Sequence, residues 1–98
     1  MLNHVVFVGR LVNWIDYDQC IEVETHNVDE SIIRMPVKLT STMYDKSKQY
    51  ATIGDIMGIK GKLKNMYNQT IIEAERITFL SGRAAAENGG EIDGSREI

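Results

Sequence analysis

A small closed β-barrel of five short strands is the fold that this 98-residue sequence predicts, on three observations. Residues 54–64 alternate, with Met57, Ile59 and Leu63 on one parity and Lys60, Lys62 and Lys64 on the other. Such a pattern describes a half-buried strand whose lysines stand in a row on the outer face. Gly58 and Gly61 interrupt that strand, and interior glycines mark a bend or a close approach of another backbone. Residues 20–26 and 32–40 also alternate and are joined by a short polar turn, which reads as an antiparallel hairpin.

The first strand covers residues 2–12. Val6 and Val8 share one face and Val5, Phe7 and Leu11 the other, so burial on both sides is expected. Gly9 gives the strand a place to bulge or coil, which lets one long strand serve two halves of a barrel. Residues 13–19 form a turn-rich connection that carries Trp14 and Tyr17. In the hairpin, a turn centred near Asp29 sets Glu24 across from Arg34, and Ile33, Met35 and Val37 across from Thr25, Val23 and Ile21. All four pairings agree in parity, as a true register requires. Pro36 lacks a backbone donor, so one side of the third strand is unpaired near its middle.

Residues 41–53 do not alternate and allow a short helix or an ordered loop. The lysine strand follows, then a turn at 65–69, then a last strand over 70–80. Ile72 and Ala74 are in phase while Ile77 is one residue out, which predicts a bulge near Glu75. Residues 1–82 therefore form one domain, and 83–98 read as a flexible acidic tail in which Ala84 to Glu87 allow a frayed helical turn and the following glycines, Asp and Ser bury too little to order themselves.

Composition narrows the function. The net charge of −3 lies wholly in residues 84–98, where Glu87, Glu91, Asp93 and Glu97 face only Arg96. The other 83 residues carry ten Lys/Arg and ten Asp/Glu. A neutral body binds a polyanion only if its charges are sorted by face. Cys20 is the single cysteine, which excludes an internal disulfide and fits a reducing cytoplasm. No stretch has the length of a membrane span, and the run from Val5 to Val8 is too short for a signal-peptide core.

Five strands whose one long connection lies between the third and fourth are the arrangement of an OB barrel, an all-β fold that binds oligonucleotides over strands two and three and the one–two and four–five loops. Three segments, MLNHVVFVGRLV (1–12), GDIMGIKGKL (54–63) and IEAERITFLS (72–81), resemble the bacterial single-stranded DNA-binding protein family at the places of its first, fourth and fifth strands. The middle departs from that pattern. The hairpin between strands two and three is short, the aromatic expected late in strand three is replaced by Lys38 or Leu39, and the Gly-Lys-containing helix signature is missing. The family's acidic tail with a Pro-Phe end has no counterpart in residues 95–98. A secondary similarity, through Arg34-Met35-Pro36-Val37, is to primosomal replication protein N, a dimeric relative of the same fold.

The resemblance implies a shortened family member that binds single-stranded DNA without base preference in replication, recombination or repair. It further implies a homotetramer, or a dimer, joined partly through the first strand, with replication or recombination proteins as further partners. Such binding combines cations along the phosphates with aromatic faces on which bases stack. The candidates are Lys60, Lys62 and Lys64 on the fourth strand, Arg34 and Lys38 on the third, Tyr67 in the four–five loop, and Trp14 and Tyr17 in the one–two loop. Arg10, in the Gly-Arg-Leu of the first strand, completes them. Each has a structural reading too: the lysines as a solvated edge, Arg34 neutralised by Glu24, Trp14 as a cap on the barrel end. No cofactor, metal site or enzymatic activity is expected, since His4, His26 and Cys20 lie far apart and no phosphate-cradling loop precedes a helix. The rival reading is a protein-interaction adaptor that keeps the fold with weak or no DNA affinity. It gains if Glu22 and Glu24 interrupt the basic surface.

Overall fold

Strand β1 (Val5–Ile15) is the spine of the barrel in the computed structural model, which describes residues 3–87 and 91–93. Its first half pairs antiparallel with β4 (Ile56–Met66), from Val5 opposite Gly61 to Arg10 opposite Ile56. Its second half pairs with β2 (Cys20–His26), from Arg10 opposite Glu24 to Ile15 opposite Cys20. The change of partner falls beside Gly9, where a Cβ would meet Val23 Cγ1 at 2.4 Å and the Glu24 carbonyl oxygen at 2.8 Å. Only glycine lets the strand pass there. The register then slips between Leu11 and Asn13, at Val12, three residues beyond Gly9 where the bulge is expected.

β2 forms its hairpin with β3 (Ile32–Lys38) in the expected register, with Glu24 opposite Arg34 and Ile21 opposite Val37. β3 reaches β5 (Gln69–Phe79) only at Val37 and Lys38, in parallel, which closes the barrel just past the proline. β4 and β5 pair along their whole length, and the register shift between Lys60 and Gly61 leaves Glu75 as the extra residue of the predicted bulge. The resulting five-stranded barrel is an OB-fold. Helix α1 (Ser41–Tyr50) plugs one end with Met43 and Tyr44. Thr40 caps it, its hydroxyl accepting from the Met43 amide. Leu11, Ile21, Val23, Val37, Leu39, Met57, Ile59, Ile72 and Ile77 fill the interior. Each such aliphatic side chain contributes about 1.5–3 kcal/mol by leaving water.

Four expectations need correction. Val6 and Val8 are not buried, for they point outward from β1 and Val6 is 76% exposed. β1 runs on to Ile15, so the one–two connection shrinks to a 3-10 turn (Asp16–Asp18) and Gln19. Leu63 has the inward parity but is half-exposed, because it lies past the end of the β1 pairing, where Val5 stands opposite Gly61. Finally, the segment after residue 82 is not a free tail where it is described. Gly82–Glu87 forms helix α2, and β6 (Glu91–Asp93) pairs with Arg76, Ile77 and Thr78 of β5, burying Ile92. Arg83 stacks over Tyr50 and donates to the Gln49 carbonyl, and Arg76 meets Glu91 at 3.7 Å. A three-residue strand is too short and too polar to show periodicity, which is why the pattern missed it. No helix among the described residues is long and apolar enough to cross a membrane.

Candidate nucleic-acid interface

On the outside of β2 and β3, Cys20 stands beside Lys38, Glu22 beside Pro36 and Glu24 beside Arg34. The face continues onto β5 and β4, where Lys38 neighbours Glu73, Glu73 lies opposite Lys62, and Ile71 lies opposite Lys64. Two loops rise over this face. The 3-10 turn carries Tyr17, and the β4–β5 turn carries Tyr67. They enclose a cleft of about 210 Å³ lined by both tyrosines, Ile15, Asp18, Cys20, Glu22, Pro36, Met66, Gln69 and Ile71. Tyr17 and Tyr67 are 88% and 79% exposed, so their rings are available to a ligand. Cys20 and Ile71 are buried beneath them although they belong to the outward parity, and they give the cleft an apolar floor. Burial also pushes the Cys20 thiol pKa up, which keeps it in its neutral form.

The turn at Tyr67 has a special backbone. Tyr67 (φ 54°) and Asn68 (φ 60°) both lie in the left-handed region, as the two central residues of a tight hairpin turn require. Asn suits that conformation and tyrosine does not. The chain thus places a large aromatic at the tip against local preference.

The nine candidates divide by position. Tyr17 and Tyr67 meet at the cleft. Lys38, Lys62, Lys64 and Arg34 lie on the face around it, and each is engaged. Lys38 donates to the Asp18 carbonyl, Arg34 Nε lies 3.2 Å from Glu24, and Lys64 and Lys62 lie 2.9 and 3.7 Å from the Glu73 carboxylate. These contacts, the Lys64 bond first, hold the Glu73 carboxyl pKa below its usual range. Lys60 and Arg10 are elsewhere. Lys60 stands beside Val6 and Arg76, and Arg10 donates to the Gly54 carbonyl at 3.0 Å on the β1 side. Trp14 points inward opposite Ile21, its ring packed edge-on against Tyr44 at 5.9 Å with Lys48 Nζ 4.9 Å from its centre. It caps the barrel end. Glu22 and Asp18 stand within the cleft, so the basic surface is interrupted as the adaptor reading requires.

Sequence reasoning missed Ile71 and Cys20. The available signal was the Ile71–Ile72 pair, which puts an apolar residue on each parity of one strand. Among the described residues, no cluster of His, Cys, Asp and Glu could hold a metal ion.

The barrel order, the helix between β3 and β4, and a cleft between the one–two and four–five loops define an OB-fold protein. No protein-family model matches the sequence, and no curated protein matches it significantly. Solved structures do. The mitochondrial single-stranded DNA-binding protein of S. cerevisiae superposes with a TM-score of 0.72 at 10% identity, over 84% of this chain and 98% of that one. The single-stranded DNA-binding domain of a Synechococcus sp. protein gives 0.61 at 14% identity, covering 79% and 94%. The dimeric N-terminal domain of PriB from Thermoanaerobacter tencongensis gives 0.60 at 16% identity, covering 81% and 97%. At these identities the likeness is one of fold, and at that level the resemblance seen in the sequence is borne out.

Proposed function

We propose that the protein binds single-stranded DNA without base preference, laying the strand across the outer face of β2, β3 and β5 with bases held in the cleft. One observation carries the reading: two exposed tyrosines from separate loops face a single apolar-floored cleft. Rings so placed can each stack a base, and a stack is worth about 1–3 kcal/mol regardless of sequence. The solved structures named above support it, two of them being single-stranded DNA-binding by their names. The role is stoichiometric, protecting or presenting strands in replication, recombination or repair, and calls for neither cofactor nor catalysis. Copies associate through β1, first as a tetramer and otherwise as a dimer. Val6 and Val8 are exposed there, and over residues 5–7 the strand pairs with β4 on one side and with no described strand on the other.

The adaptor reading is favoured by two findings, the pairing of Arg34, Lys62 and Lys64 with carboxylates and the presence of Glu22 in the cleft. Titration of a labelled oligo-dT at low and moderate salt separates the two. Saturable binding that weakens with salt, and by roughly fivefold or more in Tyr17→Ala and in Tyr67→Ala, supports DNA binding. No binding at low salt overturns it and leaves the adaptor.

A further inference from the structure

Glu73 holds two of the lysines that face the proposed strand path. Its Oε2 lies 2.9 Å from Lys64 Nζ and its Oε1 lies 3.7 Å from Lys62 Nζ. Its side chain is 32% exposed, so the contact is open to solvent and to competition. The placement matters. Glu73 lies between Lys38 of β3 and Lys62 of β4, and the next residue on its face, Ile71, is the floor of the cleft. A strand leaving the cleft along β5 therefore passes Lys64, opposite Ile71, and then reaches Glu73 and Lys62 at one register position, with the carboxylate between the two lysines and Lys38.

From this arrangement we infer that Glu73 is a built-in stand-in for a DNA phosphate, which occupies Lys62 and Lys64 and must be displaced when a strand binds; the inference rests on the DNA-binding reading. An anionic oxygen pair between two ammonium groups reproduces the charge and acceptor geometry of a bridging phosphodiester. In water-exposed geometry such pairs are weak, so a polyanion can replace the carboxylate. Each replacement then leaves Glu73 as an uncompensated negative charge beside the phosphates. The consequence is a lowered intrinsic affinity and a muted salt dependence, because two lysines exchange one anion for another and Glu73 recruits a cation as the DNA releases its own.

The test is a salt series of oligo-dT titrations on the wild type, Glu73→Gln, Lys64→Gln and the double variant, with thermal melting of each to confirm folding. Glu73→Gln is expected to bind about three- to tenfold tighter at low salt. Its slope of log affinity against log salt is expected to steepen by about 0.7–1.4, the single-strand value for one or two newly available lysines. Lys64→Gln then costs more in the Glu73→Gln background than in the wild type. Binding by Glu73→Gln alone, with none by the wild type, overturns the inference, because the carboxylate then excludes the strand instead of giving way to it. If the wild type binds and Glu73→Gln binds no tighter with the same slope, the inference falls and DNA binding stands. If neither binds, both fall.

Discussion

Gly58 and Gly61 lie in one strand and look alike in the sequence, yet the structure asks different things of them. A Cβ on Gly61 would meet the Glu73 carbonyl oxygen at 2.3 Å and Ala74 Cα at 3.1 Å, whereas one on Gly58 meets nothing nearer than the Thr78 carbonyl oxygen at 3.9 Å. The bulge at Glu75 explains the difference, since it presses the β5 backbone onto β4 where Gly61 sits. Gly61→Ala should therefore lower stability by about 1–3 kcal/mol in urea denaturation, and Gly58→Ala by no more than about 0.5 kcal/mol. Tyr67 poses the opposite case, of a residue that the fold tolerates rather than needs. Tyr67→Asn, better suited to φ 54°, should leave the melting temperature unchanged or higher and weaken oligo-dT binding by roughly tenfold. A fall in both would make the ring structural.

Asp16 gives a test with a defined pH window. The Tyr44 hydroxyl and then Lys48 hold its carboxyl pKa below the usual value, while burial and then the same contact push the Tyr44 hydroxyl pKa up. A carboxyl lowered on folding stabilises above its unfolded pKa of about 3.9 and loses that contribution as pH falls through the lower folded value. Asp16→Asn should thus destabilise the protein at pH 7, with a difference from the wild type that shrinks below about pH 4. Unfolding followed by Trp14 emission measures it, because Trp14 packs on Tyr44 and Lys48 in the same cluster. A difference independent of pH would contradict the assignment.

At the scale of elements, the β2–β3 register and the β5 bulge were legible because both are parity arguments, and parity survives any context. What parity cannot say is whether anything covers the face it names. Leu63 and Ile33 have the inward parity and are still exposed, because both lie past the ends of the β1 pairings. Val6 and Val8 are apolar and outward, so an apolar pattern on both faces of a strand does not by itself mean burial on both. The cleft was half legible. Loop aromatics pointed to Tyr17 and Tyr67, but the floor at Cys20 and Ile71 depends on loops folding back over outward residues, which has no period in the sequence. β6 was invisible for the same reason, being held by Ile92 packing and by pairing with Arg76, Ile77 and Thr78. Ile92→Ala should cost about 2 kcal/mol and speed hydrogen exchange at the amides of those β5 residues. Unchanged exchange would mean that β6 contributes nothing to the barrel.

At the scale of the molecule, residues 1–83 carry ten basic and ten acidic side chains, and on the described face these are matched locally rather than sorted. Such a surface steers a polyanion weakly from afar, so in the proposed binding mode recognition rests on contact, chiefly stacking at two tyrosines. The proposed binding mode holds the strand in the cleft between the Tyr17 turn and the Tyr67 turn. An amide chemical-shift map of the protein with oligo-dT at low salt tests it. The largest changes are expected at Tyr17, Cys20, Tyr67 and Ile71, with little change at Trp14. Changes confined to the β1 face around Val6 and Arg10, or none at saturating oligonucleotide, would contradict it.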